Sequence, residues 1–236
     1  MQASVDISAA PVGAPPELAE LPLGELARTY PQALGLLRAL RLDYCCGGAR
    51  SLREAATERG LDVQEVQQRI AALQPQPQPA EQHPLELIAR IIERYHDTHR
   101  AELPELVRLA HKVERVHAAH AQVPAGLERL LQQCLDELSD HMAKEEQVLF
   151  PLMRQAYGHA ADLRPPIARM RAEHEEHGHL LLALRTLTHD FQPPADACNS
   201  WRALFAGVAK FCDDLMQHIH LENNVLFVAF EPARAA

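Results

Sequence analysis

The sequence predicts an all-α protein in which a small N-terminal helical domain precedes an up-down four-helix bundle. Three observations lead to this prediction. Four long segments after residue 83 have helical periodicity and few strand signals, shorter helical patterns come before residue 74, and a run of proline and glutamine separates the two regions. With 236 residues, of which 47% are hydrophobic, the chain can form one sizeable core and a smaller appended domain.

The region before the bundle divides into three predicted parts. Residues 1–16 are rich in alanine, proline and glycine without apolar periodicity, which predicts a solvated tail. Residues 17–74 form the small helical domain, in which Ser51 with Glu54 and Asp62 with Glu65 have capping-box spacing at a helix start. Residues 75–83 form an extended linker, because the prolines of the QPQPQP run cannot donate backbone hydrogen bonds.

The predicted bundle covers residues 84–230. Its helices are expected at about 84–118, 125–157, 166–190 and 197–229. The segments are separated by Val123-Pro124, Pro165-Pro166 and Pro193-Pro194, because proline disrupts the helical turn that precedes it. Four helices joined by short connections are expected to run antiparallel to their neighbours.

Composition and charge narrow the possible partners. The formal net charge is −9, and no run of lysine or arginine is longer than two residues, so we expect no nucleic-acid partner. The N-terminal residues lack a signal-peptide pattern and no stretch approaches the roughly 20 apolar residues of a membrane span, so a cytoplasmic protein is expected. Five cysteines in a reducing compartment do not indicate a disulfide framework. The oligomeric state is left open.

The bundle contains an internal repeat. The second and fourth predicted helices share a pattern at a separation of 77 residues, with His141, Glu145, Val148, Leu149 and Phe150 matching His218, Glu222, Val225, Leu226 and Phe227. The first and third helices match at a separation of 78, with His96, His99 and Leu103 against His174, His177 and Leu181. These matches predict a duplicated helical hairpin with approximate two-fold symmetry.

The repeated residues have the chemistry of metal ligands. Residues four apart share one helix face, so the imidazole and the carboxylate of each His-x-x-x-Glu motif can address one site. Together with His96 and His174, the two motifs predict four imidazoles and two carboxylates at one height in the bundle core. Carboxylates can bridge two metals while imidazoles terminate them, a mixture that suits iron or manganese better than a thiolate zinc site.

Histidines in helices can also be ordinary surface or packing residues. A single His-x-x-x-Glu pair is common on surface helices, but two phase-matched copies, each followed by Val-Leu-Phe, favour metal binding. Two carboxylates buried beside that apolar run would otherwise each cost several kcal/mol. Histidines outside the pattern are predicted to be surface or packing residues: His83, His111, His120, His159, His189 and His220.

Six short motifs occur in order along the chain. They are LDYCCGG at 42–48, RYHDTHR from 94, KVERVH from 112, HMAKEEQVLFP from 141, AEHEE from 172 and HIHLENNVLF from 218. In this combination the sequence resembles the hemerythrin-like iron-sulfur cluster repair proteins, also called the Repair of Iron Centres or ScdA/YtfE family. The resemblance covers almost the whole chain after the tail.

The resemblance implies a hemerythrin-like bundle that holds two non-haem iron ions. The implied terminal ligands are His96, His117, His141, His174 and His218, and the implied bridging ligands are Glu145 and Glu222. The repeat does not predict His117. On one straight helix it would lie about 31 Å from His96, so both residues could not reach one metal pair. Either the helix kinks near Pro104, or the chain turns back between Glu114 and Pro124 so that His117 enters from a loop.

Three residues near the predicted ligands could modify the centre. Simple hemerythrins carry a second histidine four residues after the one that His174 matches, and Gly178 at that place leaves a coordination position for water, oxygen or nitric oxide. Glu137 and Glu173 are close to ligands in sequence and could orient imidazoles or relay protons. As hydrated charges on a helix face they would be equally ordinary.

The cysteines fall into two groups. Cys45 and Cys46 precede Gly47-Gly48 at a predicted helix end, where flexible glycines leave the sulfurs accessible for redox chemistry or soft-metal handling. By spacing alone a pair of small packed residues is an even alternative, and the family resemblance favours function, either iron transfer or disulfide exchange. Cys134, Cys198 and Cys212 are predicted to be packing residues.

The resemblance implies a cytoplasmic protein of the nitrosative and oxidative stress response that helps repair damaged iron-sulfur clusters by donating iron. Its partners would be damaged iron-sulfur proteins or the cluster-assembly machinery, and it would not be a conventional enzyme. The alternative is a di-iron protein that binds or weakly reduces nitric oxide, with nitric oxide or oxygen as small ligands. Oxygen carriage as in hemerythrin is disfavoured, because carriage needs no thiols.

Overall fold

The computed structural model of the chain describes residues 16–73, 83–157 and 162–231. Over these residues the regular secondary structure is helical, apart from an isolated bridge between Pro22 and Ser51. The chain divides into two compact units, Met1–Gln78 and Pro79–Ala236. The predicted tail and linker lie outside the described residues, except for Pro16 and His83 at their ends.

The first unit is built from short helices. They span Leu23–Thr29, Leu34–Ala39, Leu52–Glu58 and Val63–Ala71, with 3-10 turns at Pro16–Ala19 and Pro31–Ala33. Ser51 and Glu54 form the capping box that their spacing predicts, and the Asp62 side chain accepts hydrogen bonds from the backbone amides of Gln64 and Glu65. The helices bury a small apolar core that includes Leu26, Leu37, Leu52 and Ile70.

The described part of the second unit contains four long helices. The first bundle helix runs through Pro84–Ile91, Ile92–His96 and Asp97–Val116, and the second runs through Leu127–Lys144, Glu145–Leu149 and Phe150–Ala156. The third spans Arg164–Leu187, and the fourth runs through Asn199–Leu221 and Glu222–Leu226 into a 3-10 turn at Phe227–Phe230. Neighbours in sequence pack together and the fourth helix also packs on the first, as an up-down bundle requires.

Three prolines bear on the predicted course of the bundle helices. Pro165 and Pro166 lie inside the first turn of the third bundle helix rather than in a separator before it. Proline is tolerated there because the first-turn amides have no partner within the helix. Pro104 lies inside the first bundle helix, which continues through it to Val116. The helix therefore carries the residues after Pro104 away from His96.

Packing fixes the height and spacing of the helices. Gly207 on the fourth helix faces the first, where an added Cβ would lie 2.6 Å from the Cδ2 atom of Leu106, so the Leu106 side chain would have to shift to admit a larger residue. An apolar cluster closes one end of the bundle core and includes Ile88, Phe150, Met170 and Phe227.

No helix in the described parts of the chain has both the length and the apolar content needed to cross a membrane.

Candidate metal centre

Six of the predicted ligands meet in the core of the bundle. His96 comes from the first helix, His141 and Glu145 from the second, His174 from the third, and His218 and Glu222 from the fourth. Each of these residues is at most 1% exposed. Buried carboxylates and imidazoles at this density require partners, because the burial of an unpaired charge costs several kcal/mol.

Three of the four helices widen into a π-helical turn at these residues. The segment Ile92–His96 ends on a ligand histidine, and the segments Glu145–Leu149 and Glu222–Leu226 each begin on the glutamate of a His-x-x-x-Glu motif. Such turns occur frequently at functional sites, since they re-aim the side chains that a regular helix would carry past the site. The repeat seen in sequence is therefore also a repeat in backbone conformation.

The side chains form two donor sets, which we call set A and set B. Set A contains His96 and His218, whose Nε2 atoms lie 3.1 Å apart. Set B contains His141 and His174, whose Nε2 atoms also lie 3.1 Å apart. Glu145 and Glu222 belong to both sets.

Each glutamate presents one carboxylate oxygen to each set. Glu145 places Oε2 3.4 Å from Nε2 of His96 and Oε1 3.3 Å from Nε2 of His141. Glu222 places Oε1 3.1 Å from Nε2 of His218 and Oε2 3.1 Å from Nε2 of His174. In this arrangement each carboxylate could bridge two cations, and each cation would have two imidazoles as further ligands.

Contacts on the far side of the rings orient three of the four imidazoles. Nδ1 of His96 lies 2.7 Å from Glu146, and Nδ1 of His141 lies 3.0 Å from Glu173. Nδ1 of His174 lies 2.8 Å from the side-chain oxygen of Asn223. Because each Nδ1 faces an acceptor, it carries the proton in the neutral ring, which leaves the Nε2 lone pair pointing into the site.

This arrangement fits a pair of metal ions. Both carboxylate oxygens of Glu145 are buried and have no hydrogen-bond partner among the described residues, although four imidazoles surround them. Opposed Nε2 lone pairs 3.1 Å apart repel each other unless a cation lies between them and the carboxylates. Imidazole and carboxylate donors without a thiolate match the ligand preference of non-haem iron, and the two sets fit a di-iron site.

Without metal, protons take the place of the cations. Burial disfavours a charged His141, but the Glu145 and Glu173 carboxylates outweigh burial and raise its pKa to about 10. Burial and the neighbouring Glu222 oppose ionisation of Glu145, yet the His141 and His96 imidazoles lower the pKa of its carboxyl group. Metal binding at His141 therefore competes with a proton on its imidazole.

The structure does not bring His117 to this cluster. It is the residue at which the first bundle helix ends, and the continuous helix places it about 31 Å along the axis from His96. Its Nε2 atom lies 3.1 Å from Sγ of Cys198, and its ring packs 5.1 Å from the ring of Trp201. The helix continues through Pro104 to Val116, and His117 contacts the start of the fourth bundle helix instead of a donor set.

Sequence reasoning missed two contacts to the ligands. Glu146 and Asn223 hold His96 and His174, and each directly follows one of the repeated glutamates. Because both residues directly follow a repeated glutamate, the repeat could have predicted these two contacts from the sequence. Of the two glutamates singled out in advance, Glu173 contacts a ligand, whereas Glu137 accepts a hydrogen bond from Gln133.

Two further buried histidines lie beside the donor sets. His99 is 1% exposed and its ring stacks 5.5 Å from that of His218, while His177 is 4% exposed and its ring lies 4.8 Å from that of His141. Burial, followed by the neighbouring imidazoles, lowers the pKa of His99 to about 2 and that of His177 to about 3. Both rings are therefore neutral at physiological pH. Their 78-residue separation matches that of His96 and His174.

The cysteine pair in the first unit is less accessible than its glycines suggested. Cys45 is 3% exposed, its Sγ atom lies 3.6 Å from Sγ of Cys46, and it donates to Oδ1 of Asp43 at 3.2 Å. The contact with Cys46 and burial raise the pKa of the Cys45 thiol well above its ordinary value. Gly47 approaches Asp43 so closely that an added Cβ would meet its carbonyl oxygen at 3.0 Å. Of the two cysteines in this pair, Cys46 is the one that remains partly exposed.

Most of the other cysteines and histidines are packing or surface residues, as the sequence predicts. Cys134 and Cys212 are buried, but Cys198 is exposed at the start of the fourth helix, so its prediction as a packing residue was wrong. Among the histidines predicted to be surface or packing residues, His111 and His189 are exposed, His83 and His120 are partly buried, and His220 is buried beside Asn224. His159 lies outside the described residues.

Comparison with known proteins agrees with this geometry. Residues 87–230 match the family described as the hemerythrin HHE cation binding domain, and residues 19–74 match the ScdA N-terminal family, described as a domain of unknown function. The chain is 48% identical over 213 residues to the iron-sulfur cluster repair protein YtfE of Musicola paradisiaca. The aligned region covers 88% of this chain and 95% of that protein. It is also 48% identical over 209 residues to the proteins of the same name from Dickeya chrysanthemi and Escherichia coli, covering 87% of this chain and 94% of each. The chain belongs to the hemerythrin-like family of iron-sulfur cluster repair proteins of the YtfE type.

Proposed function

We propose that the two donor sets hold two iron ions. His96 and His218 terminate one ion, His141 and His174 terminate the other, and Glu145 and Glu222 bridge them. The observation that carries this assignment is the division of each carboxylate, with one oxygen directed at each pair of imidazoles. The bound irons would supply redox chemistry and open coordination positions for small ligands.

The protein uses this iron to help restore iron-sulfur clusters that oxidants or nitric oxide have damaged. The relatives that cover most of the chain are named as iron-sulfur cluster repair proteins, which supports this role. The donor chemistry favours an iron source over a cluster scaffold, because the two sets contain no thiolate and iron-sulfur clusters are held by thiolates. Its partners are damaged iron-sulfur proteins or the cluster-assembly machinery of the cytoplasm.

Isotope transfer tests iron donation directly. Protein loaded with ⁵⁷Fe is mixed anaerobically with an iron-sulfur enzyme whose cluster was damaged by nitric oxide, in buffer that holds only ⁵⁶Fe. Mössbauer spectra should show ⁵⁷Fe in the restored cluster, and Glu145→Gln protein taken through the same loading should transfer none. Restoration of the cluster without ⁵⁷Fe in it would contradict iron donation.

The second candidate function is binding or reduction of nitric oxide. Each donor set supplies four protein ligands, fewer than the five or six that non-haem iron commonly takes, so small molecules can enter the coordination sphere. Consumption of nitric oxide by the ferrous protein, followed with a gas electrode, measures this activity. Catalytic turnover of nitric oxide without transfer of ⁵⁷Fe would favour the second candidate over the first.

Cys45 and Cys46 act in iron transfer or thiol exchange. Their sulfurs and the Asp43 carboxylate lie close enough together to share a metal ion. Because Cys45 is buried and its pKa is raised, Cys46 is the thiol that meets a partner first. Alkylation of the intact protein followed by mass spectrometry should modify Cys46 faster than Cys45.

A further inference from the structure

The two sides of the candidate di-iron site differ in polarity. On the side of the apolar end cluster, the ring of Phe150 stacks 5.9 Å from that of His96, and the ring of Phe227 stacks 5.9 Å from that of His174. These rings offer a bound molecule no hydrogen bond. We call this side the phenylalanine face.

The other side is formed by imidazoles. His99 and His177 lie one turn further along the helices that carry His96 and His174, and their rings lie against those of His218 and His141. The antiparallel course of the helices puts this turn on the opposite side from the phenylalanine face. The ring of Phe211 packs edge-on at 5.5 Å against His99 from beyond this layer. We call this side the imidazole face.

Both histidines keep a nitrogen without a partner. Nε2 of His99 and Nδ1 of His177 are buried and have no hydrogen-bond partner among the described residues. An unpaired buried nitrogen is costly, and a phenylalanine of nearly the same shape would avoid that cost. The same arrangement at two positions related by the internal repeat argues against a single packing defect.

We propose that His99 and His177 form a small-ligand subsite on the imidazole face, where they hydrogen-bond the non-protein ligand that completes the coordination of the iron pair. The ligand is a small anion of about the size of azide. The inference rests on the proposed di-iron site and adds the side on which the ligand binds. The phenylalanine face excludes it.

Matched variants separate hydrogen bonding from packing. His99→Phe and His177→Phe keep an aromatic ring and remove the nitrogens. His99→Gln keeps an amide nitrogen near the position of Nε2, and His177→Asn keeps one near the position of Nδ1. Phe150→Leu alters the opposite face and serves as the control.

The test measures iron per chain, the melting temperature of the iron-free protein, and the dissociation constant of azide for the diferric protein by optical titration. We expect every variant to keep two irons, and each phenylalanine variant to bind azide about tenfold or more weakly, since one hydrogen bond to a charged ligand is lost. His99→Gln, His177→Asn and Phe150→Leu should bind azide within about threefold of the parent, and the iron-free phenylalanine variants should melt at the same temperature as the parent or higher.

Each contrary result is informative. Unchanged azide affinity in a phenylalanine variant that keeps two irons would overturn the subsite. Loss of iron from that variant would also overturn it, because the histidine would then be a metal ligand. Absence of iron from the parent protein would instead refute the di-iron site. If a phenylalanine variant fails to fold, His99→Leu or His177→Leu, which also lacks the ring nitrogens, takes its place: about tenfold weaker azide binding supports the subsite, and unchanged affinity with two irons retained contradicts it.

Discussion

The Nε2 atoms of His96 and His218 face each other at 3.1 Å in the core of the bundle, although the two residues lie 122 positions apart in sequence. Glu146 accepts the Nδ1 proton of His96, which directs the Nε2 lone pair of that ring at His218. The pair is stable only with a cation beside it, either a proton or a metal ion. His141 and His174 repeat the relationship on the other side of the two carboxylates.

Replacement of Glu145 by glutamine should remove both irons, because this carboxylate faces both donor sets. An amide keeps the shape of the side chain and removes the negative charge that two cations require. We expect well under one iron per chain by plasma mass spectrometry, and the same for Glu222→Gln. Glu176→Gln, at an exposed position of the third helix, should keep two irons. Two irons in the Glu145 variant would show that this carboxylate does not bridge.

Replacement of His117 by alanine should leave the iron content unchanged. The imidazole contacts Cys198 and Trp201 at the end of the first bundle helix, far from either donor set. His96→Ala provides the positive control, because it removes a donor from set A. Loss of iron from the His117 variant, with its helical circular dichroism retained, would mean that this helix end folds back to the centre.

Replacement of Glu173 by glutamine should accelerate iron release. This carboxylate accepts hydrogen bonds from His141, Lys144 and Arg169, and the bond from His141 is the main reason that its pKa lies well below the ordinary range. Removal of a partner that orients a ligand typically costs about 10- to 100-fold in metal affinity. The rate of transfer to a coloured ferrous chelator measures the effect. Glu137→Gln is the matched control, and an equal rate in both variants would rule out a role for Glu173 in retaining iron.

Replacement of Cys45 and Cys46 by alanine should impair cluster repair without changing iron content. The two thiols lie in the first compact unit, and the iron donors all lie in the second. The measurement combines iron per chain with recovery of activity by a damaged iron-sulfur enzyme. A fall in iron content would contradict the separation of thiol and iron chemistry between the two units.

Asp214 should stabilise the bundle only above acidic pH. Burial opposes its ionisation, but Arg94 at 2.7 Å and Lys210 at 2.9 Å outweigh burial and lower its pKa. A carboxyl group with a depressed pKa contributes stability above its unfolded-state pKa of about 3.9 and loses that stability as pH falls through the folded-state value. Asp214→Asn should therefore lower the free energy of unfolding by about 1 kcal/mol at pH 7, and the difference should shrink as the pH falls below the unfolded-state pKa. A difference that persists in acid would point to packing instead.

Spacing alone predicted which histidines and glutamates meet in the bundle core. The 77-residue repeat of His-x-x-x-Glu places four ligands, because helical periodicity and antiparallel packing leave little freedom in where such residues point. The repeat did not predict the π-helical turns at Glu145 and Glu222, because helical periodicity in the sequence does not distinguish one wide turn from a regular turn. Local sequence carries no strong signal for them.

Other outcomes depended on the environment of a residue rather than on its position in a pattern. The i+3 positions of His99 and His177 were visible in the repeat, yet only burial and unpaired nitrogens distinguish them from packing residues. Gly47-Gly48 suggested accessible thiols, whereas one sulfur is buried because the glycine backbone lets the loop fold tightly onto Asp43. Burial of this kind is set by the whole fold.

The most direct test of the iron pair is Mössbauer spectroscopy of the protein reconstituted anaerobically with ⁵⁷Fe, together with its metal content. The account predicts two irons per chain and a spectrum of two coupled high-spin sites, which Glu145→Gln and Glu222→Gln both abolish. A well-folded protein that binds one iron, binds zinc in preference, or binds no metal would contradict the assignment of Glu145 and Glu222 as bridging ligands.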